Sequence, residues 1–448
     1  MNPNSSDSFL IRGGKVVTAQ GVLQSDIAVV DGRIAAMGPG LPDTGCPVVD
    51  ATGQWVFPGV IDAHVHFNEP GRTDWEGLAS GSRALAAGGG TCFFDMPLNS
   101  EPPVTTAARF EEKRRLAAVK SCTDFALWGG LIPGNEGELE GLRDAGAIGL
   151  KAFMCPSGIA TFPGIDGDPL KRGMRRAAEL GMLVAVHAED EGLAGELTAA
   201  SRARGETSAR AYLDSRPIEV ELFAIQRALD YAGETRCRLH IVHVSSPEGL
   251  QLVAEAKERG VDVTAETCPH YLLLSESDVE RQGAVAKCSP PVRDEGHRQA
   301  LWLSLWSGLV DTIGSDHSPS PPELKTSQDF FEIWGGIGGV QHGVQLLLSA
   351  TADQAEQDWP RLAAALSTTV ARRFRLPPAK GQIAVGNDAD FSLLRIGAPR
   401  TLAAEELLTR HRLSPYLGRP DRITVQETYL RGRPIRADRP GQFLRPVS

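Results

Sequence analysis

Two histidines, His64 and His66, stand at spacing i, i+2 where an apolar run, Phe57-Pro-Gly-Val-Ile-Asp-Ala-His-Val-His-Phe67, ends and turns at Glu69-Pro70-Gly71. On a β-strand this spacing points both rings to one side. Two same-side imidazoles at a strand end are half of a metal site; the plain alternative is a partly buried pair on an ordinary strand. Later runs supply partners of matching chemistry: Lys151 in Gly-Leu-Lys-Ala-Phe-Met, His187 in Val-Ala-Val-His-Ala-Glu-Asp, His243 in His-Ile-Val-His-Val-Ser-Ser, and Asp316 in Ile-Gly-Ser-Asp-His-Ser-Pro. Lysine is the awkward member. Its ammonium only donates and repels cations. Carbamylation by carbon dioxide would turn it into an anionic oxygen ligand able to bridge two ions.

These residues can meet only if the elements bearing them end at one place. From Pro58 to about Leu376 the chain repeats strand, turn, helix, with eight apolar strand candidates: Val60–Phe67, Thr91–Met96, Asp124–Trp128, Ile148–Phe153, Leu183–His187, Leu239–Val244, Val261–Thr267 and Asp311–Ser315. Helical patterns such as Gly77–Ala87, Ala107–Lys120, Leu170–Leu180, Pro217–Tyr231 and Pro247–Arg259 lie between them, with glycine stops and proline starts. That alternation predicts an α/β fold, a (β/α)₈ TIM-like barrel, in which all strands end on the face that holds the active site. Singly, His187 and His243 read as satisfied core histidines, Asp316 as a helix cap and Lys151 as a surface cation. All of them at strand ends point to a metal centre.

Outside the barrel the style changes. Residues 8–50 alternate short β runs and turns, with Asp31-Gly32 as a hairpin signal, and β style returns after Lys380. The expected domains are therefore a small β-sandwich from 1–57 and 381–448 and a barrel hydrolase over 58–380. Two stretches break the rhythm: the polar excursion 193–216, and a Pro/Gly-rich loop, 318–340, after the eighth strand. A loop that long inside a compact domain is usually functional.

Composition excludes several classes. A net charge of −10 with no long basic block argues against nucleic acid and anionic membrane as partners; Lys171-Arg172-Gly-Met-Arg175-Arg176 reads as a solvated helix face. Seven cysteines without Cys-x-x-Cys spacing argue against a disulfide framework and a thiolate zinc cluster. Met1–Asp7 has no basic or apolar leader character and no stretch could span a bilayer, so a cytoplasmic protein is expected.

Over nearly the whole chain these residues resemble the cyclic amidohydrolases of the amidohydrolase superfamily, the group of dihydroorotases, hydantoinases and allantoinases. The resemblance includes the split β domain and its Gly-x-Asp-Ala-Asp-Phe segment. It implies two divalent metals, usually zinc with cobalt or manganese as alternatives. His64, His66 and Asp316 would hold one, His187 and His243 the other, and Lys151, as N6-carboxylysine, would bridge them. Within the group the chain is most similar to allantoinases, through His66-Phe-Asn-Glu-Pro-Gly-Arg72, Lys151-Ala-Phe-Met, Cys288-Ser-Pro-Pro-Val-Arg293, Ser315-Asp-His-Ser-Pro, Asp329-Phe-Phe and Trp334-Gly-Gly-Ile. Dihydroorotases typically carry an arginine where this chain has Asn68, and hydantoinases a tyrosine near Met154-Cys155-Pro156. A substrate without a carboxylate gains nothing from a buried cation. The resemblance thus implies ring opening of allantoin to allantoate in purine breakdown, with Asp316 as the proton carrier and a homotetramer as the assembly. By the same analogy Asn99, Ser289 and Ser318 would grip substrate, while turn chemistry beside proline is the other account of Asn99 and Ser318. His240, His270 and His317 read as structural. The rival expectations are dihydroorotate or a hydantoin as substrate, and a non-catalytic scaffold.

Overall fold

A computed structural model describes residues 8–43 and 45–447. The stretch Met1–Asp7 lies outside the described residues.

Eight parallel strands form the barrel. In order they are Val60–Val65, Gly90–Asp95, Asp124–Leu127 continued by Gly129–Gly130, Leu150–Phe153, Leu183–His187, Arg238–Ile241, Val263–Thr267 and Thr312–Ile313. Each neighbouring pair is in parallel register. Closure comes from a parallel bridge between Val65 and His317 and from the His66 amide donating to the His317 carbonyl at 2.8 Å. Apolar runs such as Leu183-Val-Ala-Val are buried throughout, as befits strands covered on both faces. The helices between them start on side-chain caps: Thr106 accepts from the Arg109 amide, Ser246 from Gly249 with Pro247 in the first turn, and Asp294 from His297. The Lys171–Arg176 run lies on the helix Gly167–Glu179, with Gly173 and Met174 turned inward and Arg172 and Arg175 exposed.

Strand lengths differ from the sequence expectation where the site lies. The first strand stops at Val65 and the sixth at Ile241, because the chain leaves the ladder there; His243 takes a left-handed backbone, φ 41°. The excursion 193–216 takes in most of the helix Glu191–Ala203 and all of Ala209–Asp214, and the loop 318–340 holds one helical piece, the short 3₁₀ turn Pro322–Lys325.

The strands from the two ends of the chain pair in one sheet. Phe9–Thr18 pairs with Gly21–Val30, which turns at Asp31-Gly32 (φ 49° and 78°) into Arg33–Gly38. Two successive positive φ values give the hairpin turn that Asp-Gly favours. Trp55–Pro58 lies between the halves, parallel to Phe9–Thr18 and antiparallel to Phe391–Thr401, which pairs in turn with Pro420–Leu430. Phe9, Ile11, Val29, Phe391 and Tyr429, from both ends, share one apolar core. Lys380 sits between sheet and barrel, 2.8 Å from Asp124, 2.9 Å from Asp388 and 2.7 Å from Asp390. The C-terminal residues leave the sheet: Phe125 of the third barrel strand donates to the Gln442 carbonyl and accepts from the Leu444 amide.

Candidate metal centre

His64 is the fifth residue of the first barrel strand and His66 follows its end; the register slips between Asp62 and Val65, after which Val65 and Phe67 pack into the main core and both rings turn into the barrel mouth. Lys151 is the second residue of its four-residue strand rather than its end, and His187 closes the fifth. His243 and Asp316 lie beyond their strands with φ 41° and 44°. Left-handed backbone is uncommon for such residues and gathers at functional sites. Here it turns side chains that plain extension would not aim.

The six meet. His64 Nε2 and His66 Nε2 are 3.2 Å and 3.4 Å from Asp316 Oδ1. His187 Nδ1 is 3.0 Å from His243 Nε2, and the His64 and His243 ring centroids are 5.4 Å apart. Lys151 is 0% exposed; its Nζ has no hydrogen-bond partner among the described residues and sits 4.9 Å from the centroid of the Phe153 ring, which stacks on His187. Burial pushes the Lys151 amine down to about 7, against the pull of Asp316 and Glu266.

The outer nitrogens of three of the four rings are fixed, while His243 Nδ1 is buried without a partner among the described residues. His64 Nδ1 meets Glu266 Oε1 at 2.7 Å, His66 Nδ1 meets the Leu98 carbonyl at 2.7 Å, and His187 Nε2 meets Glu189 Oε2 at 2.7 Å. Those acceptors require N–H on the outer nitrogens, so neutral rings turn lone pairs inward. Burial holds the His64 imidazole below its usual range, the neutral state. Two inward lone pairs then face the Asp316 carboxylate. Lone pairs and a carboxylate converging in a buried space are an arrangement completed by a cation. His64, His66 and Asp316 offer ligand atoms within 4.8 Å of one another; a second such group, Cys155, His187 and Glu189, shares only His187 with the expected pair of His187 and His243. The donor set therefore fits divalent metal ions, and beside it the Lys151 Nζ is buried without a hydrogen-bond partner among the described residues.

Glu266 and Glu189 were not anticipated. Burial works to raise both, but the imidazoles they face outweigh it and bring each to about 2. The signals were in the sequence: a carboxylate inside the buried run Val263–Thr267, and one two places after His187.

A cavity of about 330 Å³ opens over the cluster, lined by the four histidines and Asp316 together with Asn99, Ser289, Ser318, Tyr212 and Trp334. Asn99 Nδ2 donates to Ser318 Oγ at 3.5 Å, while the Ser289 hydroxyl donates to Glu189 at 2.5 Å. Asn68 is wholly buried and donates to the Pro319 carbonyl at 3.3 Å. His317 bonds Glu76 and accepts from the Gly339 amide, and His240 bonds Thr264. His270 is buried with both ring nitrogens unpartnered among the described residues.

A family model described as the amidohydrolase family matches residues 55–434. An allantoinase of Solibacter usitatus (strain Ellin6076) is 50% identical over 443 residues, covering 98% of this chain and 96% of that protein. An allantoinase of Deinococcus radiodurans is 48% identical, covering 98% of this chain and 99% of that protein. Among solved structures, the L-hydantoinase (dihydropyrimidinase) from Arthrobacter aurescens matches with a TM-score of 0.93 at 33% identity, over 98% of this chain and 99% of that one.

Proposed function

The chain belongs to the amidohydrolase family, and from that premise we propose that it is an allantoinase, a hydrolase that opens the hydantoin ring of allantoin to allantoate. The observation behind this is the meeting of four imidazoles, Asp316 and an unpartnered buried Lys151 at the mouth of one barrel. Allantoin as the ring rests on the near full-length likeness to allantoinases and on the neutral Asn68 at the position where the dihydroorotases of the group typically carry an arginine. We assign residues 58–380 to the hydrolase domain and 1–57 with 381–448 to the β domain. The reading carries with it a cytoplasmic homotetramer; among the described residues no helix is long and apolar enough to cross a membrane.

His64, His66 and Asp316 would hold one ion, His187 and His243 the other, and Lys151 would bridge them after its amine forms an N–C bond to carbon dioxide and releases a proton. Two divalent ions, zinc first and cobalt or manganese next, would supply an acidified water and polarise the ring carbonyl. Glu266, the Leu98 carbonyl and Glu189 keep the imidazoles aimed. Asp316 stands where it can accept the proton of the attacking water and return it to the ring nitrogen as the C–N bond breaks. Asn99, Ser289 and Ser318 are assigned to the ring and its ureido arm.

The test is allantoate formation by purified protein with zinc, cobalt or manganese and bicarbonate, beside dihydroorotate and hydantoin. Chelator-sensitive turnover of allantoin alone is expected. A hydantoin preferred over allantoin would move the substrate to that of the hydantoinase neighbours, and no turnover of any ring would remove the assignment.

A further inference from the structure

The loop after the eighth strand forms one wall of the cavity through Phe331, Ile333, Trp334, Gly335 and Gly336, although its only regular piece is the turn Pro322–Lys325. Irregular backbone at a site leaves carbonyls that no ladder satisfies. Two ammonium groups take them. Lys287 Nζ donates to the carbonyls of Phe330 at 2.6 Å, Phe331 at 3.3 Å and Ile333 at 2.5 Å. Lys325 Nζ donates to the carbonyls of Ala284 at 3.4 Å, Trp334 at 3.1 Å and Gly336 at 3.1 Å. An ammonium has three donors and no acceptor, so each lysine spends all three on main chain.

This is unusual chemistry for a scaffold. Lys287 is 5% exposed and packs over the rings of Tyr212 and Phe330. Neither lysine has a carboxylate within 4.0 Å among the described residues. A buried cation without a counter-ion is unfavourable unless its hydrogen bonds are complete. Burial accordingly pushes Lys287 down to about 7 and Lys325 to about 8. Five of the six carbonyls belong to residues 330–336, the stretch that faces the cavity. The same stretch presents Trp334, which meets Trp75 of the first strand's loop at 5.0 Å and lies over Gly158 of the fourth's.

We propose that Lys287 and Lys325 are positioning residues for substrate, two posts that fix the backbone of 330–336 as a rigid wall of the site. The claim rests on the proposed cyclic-amide hydrolysis for its kinetic consequence only. Removing a post loosens the wall in the free enzyme and weakens ring binding, while the groups around Asp316 stay in place.

The experiment uses the metal-loaded, full-length enzyme with Lys287→Met and, separately, Lys325→Met. Hydrogen exchange of peptides spanning 330–336, without substrate, is expected to quicken about tenfold or more in each, as lost hydrogen bonds to a charged donor imply. KM for allantoin is expected to rise by a similar factor with kcat within about threefold. Unchanged exchange in both variants overturns the proposal whatever ring is turned over, and a fall in kcat with KM unchanged overturns it too. Should wild type open no ring, the functional assignment fails and exchange still decides the loop. If Lys287→Met does not fold, the more exposed Lys325 position decides.

Discussion

Replacing Glu266 with Gln tests whether the inward lone pairs await a cation. Glu266 Oε1 accepts from His64 Nδ1 at 2.7 Å with both side chains 1% exposed. A Gln carbonyl oxygen can accept the same bond, and its amide would take the place of Oε2, which faces His240 Nε2 at 3.7 Å without a partner. Shape and bond count survive, so the change is confined to charge. A hydrogen bond to an ionised acceptor contributes about 1.5–3 kcal/mol against about 0.5–1.5 kcal/mol for a neutral one. The difference, roughly 1–1.5 kcal/mol, corresponds to about tenfold in an equilibrium constant. That is the lower end of the 10–100-fold that partners of metal-bound histidines typically contribute. The expected result is one ion held about tenfold more weakly and the other unaffected, with the melting temperature of the metal-free protein little changed. Chelator competition followed by metal content per chain measures this. Glu266→Gln binding both ions within twofold of wild type would refute the assignment of His64 as a ligand aimed by Glu266.

Lys151→Ala should lower bound metal below two ions per chain even in bicarbonate, measured by elemental analysis; two retained ions would end the bridging role. Asp316→Asn is expected to keep the fold, by circular dichroism, and lose about 10²–10⁴-fold in turnover, an intact rate showing that another group carries the proton. Gly336 has φ 126°, and a Cβ there would lie 2.1 Å from the Ser318 carbonyl oxygen. Gly336→Ala should therefore destabilise the protein by about 1–3 kcal/mol and raise KM, read by thermal melting and steady-state kinetics. Lys287 gives a pH dependence: burial, then Arg216, Lys325 and Arg202, outweigh Asp329 and bring it to about 7. Above that pH a neutral amine has two donors for three carbonyls, so KM should climb as pH rises through about 7, and Lys287→Met should flatten the climb. In the same window the unfolded chain, with lysine near 10.4, binds the proton that the folded one has released, so this group's contribution to global stability rises with pH between about 7 and 10.

The barrel was legible because eight apolar runs of strand length recur between capped helices, and the structure places a parallel strand overlapping every one of them. The six chemistry-bearing residues were legible by type and by nearness to strand ends. Their aim was legible only in part. Period-two alternation accounts for Lys151 and His187 and for the shared side of His64 and His66, but the first strand's register slips between Asp62 and Val65, and His243 and Asp316 reach the cavity through left-handed backbone that no alternation encodes. Ser289 shows the limit for hydroxyls, since its proton goes to Glu189, a residue a hundred positions away. Lys287 and Lys325 were illegible because their partners are carbonyls, which every residue has.

The strand Trp55–Pro58 hands the chain directly to the barrel, yet its antiparallel neighbour is Phe391–Thr401. On the ribosome, the first strands emerge early and must keep one edge open until the whole barrel and the stretch beyond it have been made. An open edge templates pairing with another chain. Loss of the final segment would therefore do more than trim a surface. It would leave a newly made barrel attached to a permanently unpaired edge at Trp55–Pro58, and would take away the Gln442 and Leu444 contacts with Phe125. Premature stop codons after the barrel should thus be felt as aggregation during synthesis rather than as a weakened finished enzyme.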